Sequence, residues 1–121
     1  MDIRVKTTDY QMTQDVSEYL NGRLRSLEKL LGADAQLARC EVELGRDAGR
    51  PRHGANIFFA EIHIICPGGA KAYARNNSES INGAIDDVKE ETERQLRRER
   101  KLHIRLYRRG GAFAKRLLRL D

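Results

Sequence analysis

Eleven of the chain's 23 basic residues crowd into the stretch from Arg94 to Arg119, opposed only by Glu99 and the terminal Asp121. Most of the eleven are arginine, whose planar guanidinium grips a phosphate through two parallel hydrogen bonds or stacks on a base. So much like charge at one end of a 121-residue chain repels itself, and a polyanionic partner commonly offsets it. Acids and bases are roughly matched before Arg94, so the net charge of +5 is a local excess rather than a general basicity. A solvated face is the competing explanation for any such run. The chemistry on offer is phosphate binding, and the expected ligand class is nucleic acid.

The other reactive side chains form no catalytic pattern. His53, His63 and His103 have no histidine four residues away and no cysteine at ligand spacing, so we expect no metal site. Glu61 and His63 share a strand face, but an open sheet supplies no pocket to tune them as an acid–base pair. Pro67-Gly68-Gly69 lacks the lysine and helix start of a phosphate-cradling loop and fits a hairpin turn better. Cys40 and Cys66 occupy apolar positions of strands and are expected to be reduced core thiols rather than a disulfide framework. We therefore expect no enzyme, no cofactor and no small-molecule substrate. The alternation of Ile3-Arg4-Val5-Lys6 is no signal peptide, and no apolar run is long enough to span a bilayer. The expectation is a soluble, cytoplasmic chain with no membrane partner.

Elements must hold those cations in place. Ile3 and Val5 alternate with Arg4 and Lys6, which predicts a short first strand. Thr13 has the chemistry of an N-cap, and Asp15 suits the positive end of the helix dipole. Val16, Leu20, Leu24, Leu27 and Leu31 then recur at helical spacing as far as Gly32, which predicts a helix over 14–31. From Ala38 the period changes to two, with Cys40, Val42 and Leu44 on the same face. A loop over 45–54, with three glycines and a proline, follows. A third strand over about 56–66 places Phe58, Ala60, Ile62 and Ile64 on the core face and leaves Phe59 and Ile65 exposed. Ala70, Ala72 and Ala74 alternate with Lys71, Tyr73 and Arg75 in a fourth strand, and residues that small predict a helix backbone passing close above. Asn77 or Ser78 is the expected cap of a second helix, whose buried stripe is Ile81, Ala84, Ile85, Val88, Thr92 and Leu96.

The expected fold is α+β, ordered β-α-β-β-β-α, with a four-stranded mixed sheet covered on one face by two helices. Past residue 101 the chain is set apart as a basic tail, with Gly110-Gly111 as a hinge and Phe113, Leu117 and Leu120 at helical spacing. At about 100° per residue, Arg94, Arg97, Arg98, Lys101 and Arg105 fall opposite the buried stripe as one cationic ridge. Part of that ridge serves the helix itself. Acids fill its N-terminal half and bases its C-terminal half, which complements the dipole, and Glu90–Arg94 and Glu93–Arg97 are the expected i,i+4 pairs. Two or three arginines are accounted for in this way, and the remainder call for a partner. The reading fails if the molecule's own carboxylates consume those guanidinium groups. Lys71, Tyr73 and Arg75 form a second candidate surface, where a tyrosine between two cations can stack on a base; an ordinary strand exterior is the alternative.

An ordered series of segments over about residues 2–101 resembles the ribosome hibernation factors, the family of hibernation-promoting factor and the ribosome-associated inhibitor called protein Y. In the first half these are Ile3-Arg4-Val5, Met12-Thr13-Gln14-Asp15-Val16, Tyr19-Leu20, Arg23-Leu24 and Leu27-Glu28-Lys29. In the second they are Ala60-Glu61-Ile62-His63-Ile64, Pro67-Gly68-Gly69, Ala72-Tyr73-Ala74, Ala84-Ile85-Asp86 and Glu93-Arg94-Gln95-Leu96-Arg97-Arg98. The resemblance implies a ribosome-binding domain over 1–101, laid out like a double-stranded RNA-binding domain; the basic tail over 102–121 lies outside it. It implies occupation of the mRNA and tRNA channel of the small ribosomal subunit in starved or stationary-phase cells. Translation would stop reversibly, with ribosomal RNA phosphates held by helix cations and no catalysis. By position, Arg23, Arg94, Arg97, Arg98 and Arg100 match basic or polar family sites, with Lys29 and Lys101 as looser matches. Arg25, Lys89 and Arg105 complete the expected RNA contacts, in a protein expected to be monomeric off the ribosome.

The chain departs from the family pattern at three places. Glu91 stands where a basic residue is common, with Lys89 as a nearby substitute. The loop over 45–54 is longer than in the shortest members. The tail is arginine-rich and far too short for the dimerisation domain of long hibernation factors, which leaves open whether ribosome pairing is promoted or opposed. Two alternatives stand beside the leading one. The first is a regulatory module for a sigma factor, binding protein through Phe59 and Ile65 or through Phe113–Leu120. The second is a generic double-stranded RNA binder.

Overall fold

Apolar residues at a period of two build each strand, and the apolar side chains of two helices close over one face of the resulting sheet. The structure, a computed structural model, describes residues 1–47 and 56–110, with side chains as far as Leu102. Strand β1 (Asp2–Thr8) leads into helix α1 (Gln14–Leu31) and a 3-10 segment, Gly32–Leu37. Strands β2 (Arg39–Arg46) and β3 (Phe58–Ile65) follow, then a 3-10 turn at Pro67–Gly69, β4 (Lys71–Ser78) and helix α2 (Ile81–Gly110). The sheet order is β1-β2-β3-β4, with β1 parallel to β2 and the other neighbours antiparallel. This is the expected mixed sheet. A parallel β1–β2 pair needs a crossover, and α1 supplies it.

Helix α1 starts and stops where its chemistry says. The Thr13 hydroxyl accepts a hydrogen bond from the Val16 amide at 3.3 Å. Gly32 ends the helix at φ +60°, a left-handed conformation that glycine adopts without strain. Its buried face is the anticipated stripe of Val16, Leu20, Leu24, Leu27 and Leu31. These pack with Cys40, Val42, Leu44, Ala60, Ile62 and Ile64 in one hydrophobic cluster. From α2 the cluster receives Ala84, Ile85, Val88 and Leu96, with Ile81 partly buried beside them. Thr92 is fully buried and donates its hydroxyl to the Val88 carbonyl at 2.7 Å, so no polar group is stranded there.

The alanines of β4 let α2 settle close to the sheet. Ala70, Ala72 and Ala74 are all buried, and α2 packs against β4 and β3. From that position Gln95 reaches the outer edge of β4, where its side-chain oxygen accepts the Tyr73 backbone N–H at 2.8 Å. An edge donor that would otherwise face solvent is satisfied by the helix.

Three expectations are corrected. Helix α2 is capped by Ser80 rather than Asn77 or Ser78. The Ser80 hydroxyl oxygen accepts from the Gly83 N–H at 3.0 Å, because β4 runs on through Ser78 and carries the earlier candidates into the sheet. Gly45 and Arg46 belong to β2, not to the loop after it. Phe59 is only 2% exposed, although it lies on the helix-free face. Gly45, its partner across β2–β3, has no side chain, so the ring folds over the glycine and the Arg75 guanidinium covers it at 3.9 Å. Ile65 does remain exposed, at 41%.

That arrangement makes Gly45 a sensitive position. A Cβ there would lie 2.3 Å from the Thr8 carbonyl oxygen and 2.7 Å from the Phe59 ring. Gly45→Ala is expected to destabilise the protein by about 1–3 kcal/mol, read as a lowered melting temperature by circular dichroism. An unchanged melting temperature would show that the ring is not wedged against the glycine.

Candidate nucleic-acid interface

One face of α2 is consumed by the core, so the chain's local charge excess must lie on the other. Arg94 and Arg97 have side chains 65% and 58% exposed. Each nevertheless has a carboxylate of its own. Arg94 bonds Glu91, three residues back, instead of the anticipated Glu90, and its Nε–Oε2 separation is 3.1 Å. Glu91 is fixed in reach because its other oxygen accepts from Gln95, which β4 holds in place. Arg97 pairs with Glu93 at 2.9 Å, as the i,i+4 spacing anticipates. Hydrogen bonds from these partners hold both carboxyls below the usual range, that of Arg94 first at Glu91 and that of Lys89 first at Glu93.

The condition set by the sequence is therefore met only in part. Five of the expected RNA contacts, Arg23, Lys89, Arg94, Arg97 and Arg100, have intramolecular carboxylate partners. Exposed pairs of this kind contribute little in water and exchange readily for a stronger anion. Arg98 and Lys101 are exposed and have no ion pair among the described residues. These two, flanked by Arg94 and Arg97, are the most available cations of the flank. Lys89 is different. Its side chain is 15% exposed and its ammonium sits 2.8 Å from Glu93, so it is committed to the helix. Arg105 lies on the α2 backbone, and its side chain falls outside the described ones.

Two tertiary ion pairs align the helices. Arg23 of α1 binds Asp86 of α2 at 3.0 Å, and Arg100 of α2 binds Asp34, just past α1, at 2.9 Å. Position 23 thus stands beside 86 and position 34 beside 100, so the helices lie side by side and run the same way. Their C-terminal halves share one end of the domain; Arg25 and Lys29 are exposed on α1 and take no part in the ion pairs that join the helices. The Arg23 guanidinium also donates to the Tyr19 hydroxyl at 2.9 Å, and that hydroxyl donates to Asp86. The Tyr19 hydrogen bond, then the Asp86 charge, raise the Arg23 pKa above its ordinary value. Arg23 is a positioned cation rather than a mobile one. Sequence reading missed Asp86 as the partner of Arg23 and Asp34 as that of Arg100, because partners more than 60 residues apart leave no periodic trace. Tyr19, four residues before Arg23, had the spacing to be found.

The open face of the sheet is a weaker candidate. Arg75 stacks on Phe59 and binds Asp47 and Glu61 at 3.0 and 3.3 Å, so it is not a free cation beside Tyr73. Tyr73 is half exposed, edge-on to His63 at 5.9 Å, and its hydrogen bond to Glu61 raises its pKa. A groove of about 320 Å³ crosses this face, lined among others by Arg4, Lys6, Glu41, Glu43, Glu61 and His63. Its charges alternate in sign, which suits no polyanion. Among the described residues no cluster could hold a metal ion, and no helix is long and apolar enough to cross a membrane. His53 lies outside the described residues. Cys40 and Cys66 are free and buried, and burial chiefly pushes the Cys40 thiol from 9.0 up to about 12.

Two measurements follow from this geometry. Cys40 should resist alkylation at pH 8 until the protein unfolds. Because its folded pKa is raised, the stability tied to that proton holds below pH 9.0 and is lost as pH rises toward about 12. Second, the double variant Glu91→Gln/Glu93→Gln releases Arg94 and Arg97, so affinity for RNA should rise about two- to fivefold with little change in melting temperature. Weaker RNA binding by that variant would show that the carboxylates orient the arginines instead of competing for them.

The fold has counterparts among known proteins. A family model described as Sigma 54 modulation protein / S30EA ribosomal protein matches residues 3–103. Among curated protein sequences none matches the chain. The crystal structure of the Protein Y N-terminal domain from Thermus thermophilus aligns with a TM-score of 0.64 at 20% identity, covering 81% of this chain and 98% of that one. A ribosomal subunit interface protein from Coxiella burnetii aligns with a TM-score of 0.66 at 12% identity, covering 84% and 99%. Identities that low speak for the fold alone, whereas the family match spans nearly every described element. The chain belongs to the Sigma 54 modulation protein / S30EA ribosomal protein family.

Proposed function

We propose that this protein is a ribosome hibernation factor of the cytoplasm. It binds ribosomal RNA in the mRNA and tRNA channel of the small subunit, blocks both ligands and silences translation reversibly under stress or in stationary phase. Family membership and the neighbour named as a ribosomal subunit interface protein support this reading. The observation that carries it is the outer flank of α2, where Arg98 and Lys101 stand uncommitted between exposed, weakly held arginines.

The mechanism is occupancy. A rigid helix pair presents fixed cations to fixed phosphates, and released counterions drive association. The bound domain then fills space that tRNA needs, and no covalent step is involved, so the block lifts when the protein leaves. The domain acts as a monomer. If six phosphates are engaged, log K should fall with log salt with a slope of about −5 on duplex RNA or about −4 on single strands.

The sigma-factor reading invoked Phe59 and Ile65 as an exposed apolar pair, or the Phe113–Leu120 segment, which lies outside the described residues. With Phe59 buried under Arg75, only Ile65 of that pair faces solvent. A generic duplex-RNA binder would show no preference for the subunit over free RNA.

The test is binding to isolated small subunits with labelled initiator tRNA as competitor. Saturating protein should exclude the tRNA, and Arg98→Glu/Lys101→Glu should weaken subunit binding at least about tenfold at moderate salt. Equal tRNA binding with and without the protein would overturn the proposal.

A further inference from the structure

Helix α2 outlasts the core that supports it. Leu96 is its last fully buried side chain among the described residues, Arg100 still reaches Asp34, and Leu102 is 48% exposed. The helix nevertheless continues unbroken through position 101 to Gly110, about 21 Å past Leu96 at 1.5 Å per residue. The family match stops at residue 103, so half of this extension lies past the matched span.

The extension continues one pattern. At 100° per residue, positions 94, 97, 98, 101, 105, 108 and 109 fall within a single arc of about 120°, along about 22 Å of helix. Every one of them is arginine or lysine. Glu99, the only acid of α2 after Glu93, falls outside the arc, as do His103, Leu106 and Tyr107. We propose that this arc is a rigid rail for the phosphates of base-paired RNA, reaching beyond the footprint of the folded core. The proposal rests on reading the protein as an RNA ligand. It adds the kind of RNA structure recognised and two further residues, Arg108 and Arg109.

Two features favour a duplex over a single strand. Proteins that hold single strands without sequence preference stack bases on aromatic side chains, and no aromatic position falls in the arc. A duplex, in contrast, keeps its bases stacked and offers phosphates at fixed spacing, which a straight helix can match without ordering itself first. The major groove of A-form RNA is too deep and narrow for side-chain readout, so the rail lies across it and touches backbone on both sides.

The experiment compares the full-length chain with Arg105→Gln/Arg108→Gln/Arg109→Gln, since glutamine keeps the helix and removes only charge. The probes are a fully paired RNA of about 16 base pairs and one of its strands alone, each titrated over a salt series. The unaltered chain should prefer the duplex. On that probe the variant's slope of log K against log salt should be shallower by about 2.5, while single-strand binding should not change. An unaltered slope on the duplex, an equal loss on the single strand, or no duplex binding by the unaltered chain would each overturn the proposal. Small-subunit binding measured in parallel separates the two readings. A duplex effect without subunit binding sinks the ribosomal role alone, and subunit binding without a duplex effect sinks the rail alone.

Discussion

Close seating of α2 on the alanines of β4 is the contact from which the other features descend. Ala70, Ala72 and Ala74 leave no bulk between helix and sheet, so Ile85, Val88 and Leu96 reach the core and the opposite flank turns fully outward. The same proximity lets Gln95 bond the edge of β4, and through Gln95 it fixes Glu91 and hence Arg94. A larger residue in place of any of these alanines would lift the helix and loosen that chain of contacts.

The charge of α2 serves two ends at once. Acids early and bases late stabilise the helix against its own dipole. The late bases also exceed what the helix can use, and the excess is the surface proposed to meet phosphates. Whether an arginine is tied to the fold or left exposed depends on which face of its helix it occupies. Arg100 holds the segment after α1, and Arg23 is gripped by Tyr19 and Asp86, so both fix the geometry of the pair. Arg98 and Lys101, on the outward arc, carry no such duty. Paired and exposed, unpaired cations thus alternate within one short stretch of the described residues.

Much of the fold was legible from periodicity. The α1 stripe, the α2 stripe and the alternating strands were read residue by residue, because each depends on a local repeat that burial enforces. Phe59 was misread for the converse reason. Alternation assigns it to the open face correctly, but its burial comes from Gly45 on β2 and Arg75 on β4, neither of which is near in sequence. The cap of α2 slipped because several polar residues in a row can cap, and the length of β4 chooses among them.

By itself the sequence determined which stretches become strand or helix, the helix stripes and most strand positions that enter the core (Phe58, expected there, is only partly buried), and that positive charge accumulates on one flank of the last helix. All of these follow from spacing of three, four or two along the chain. Only the tertiary structure decided which carboxylate answers each arginine, that the helices run side by side in one direction, and which cations stay available. Those outcomes depend on distances across packed layers, between residues such as Arg23 and Asp86 or Asp34 and Arg100. No local repeat encodes such distances, because they exist only once the core has set the helices against the sheet.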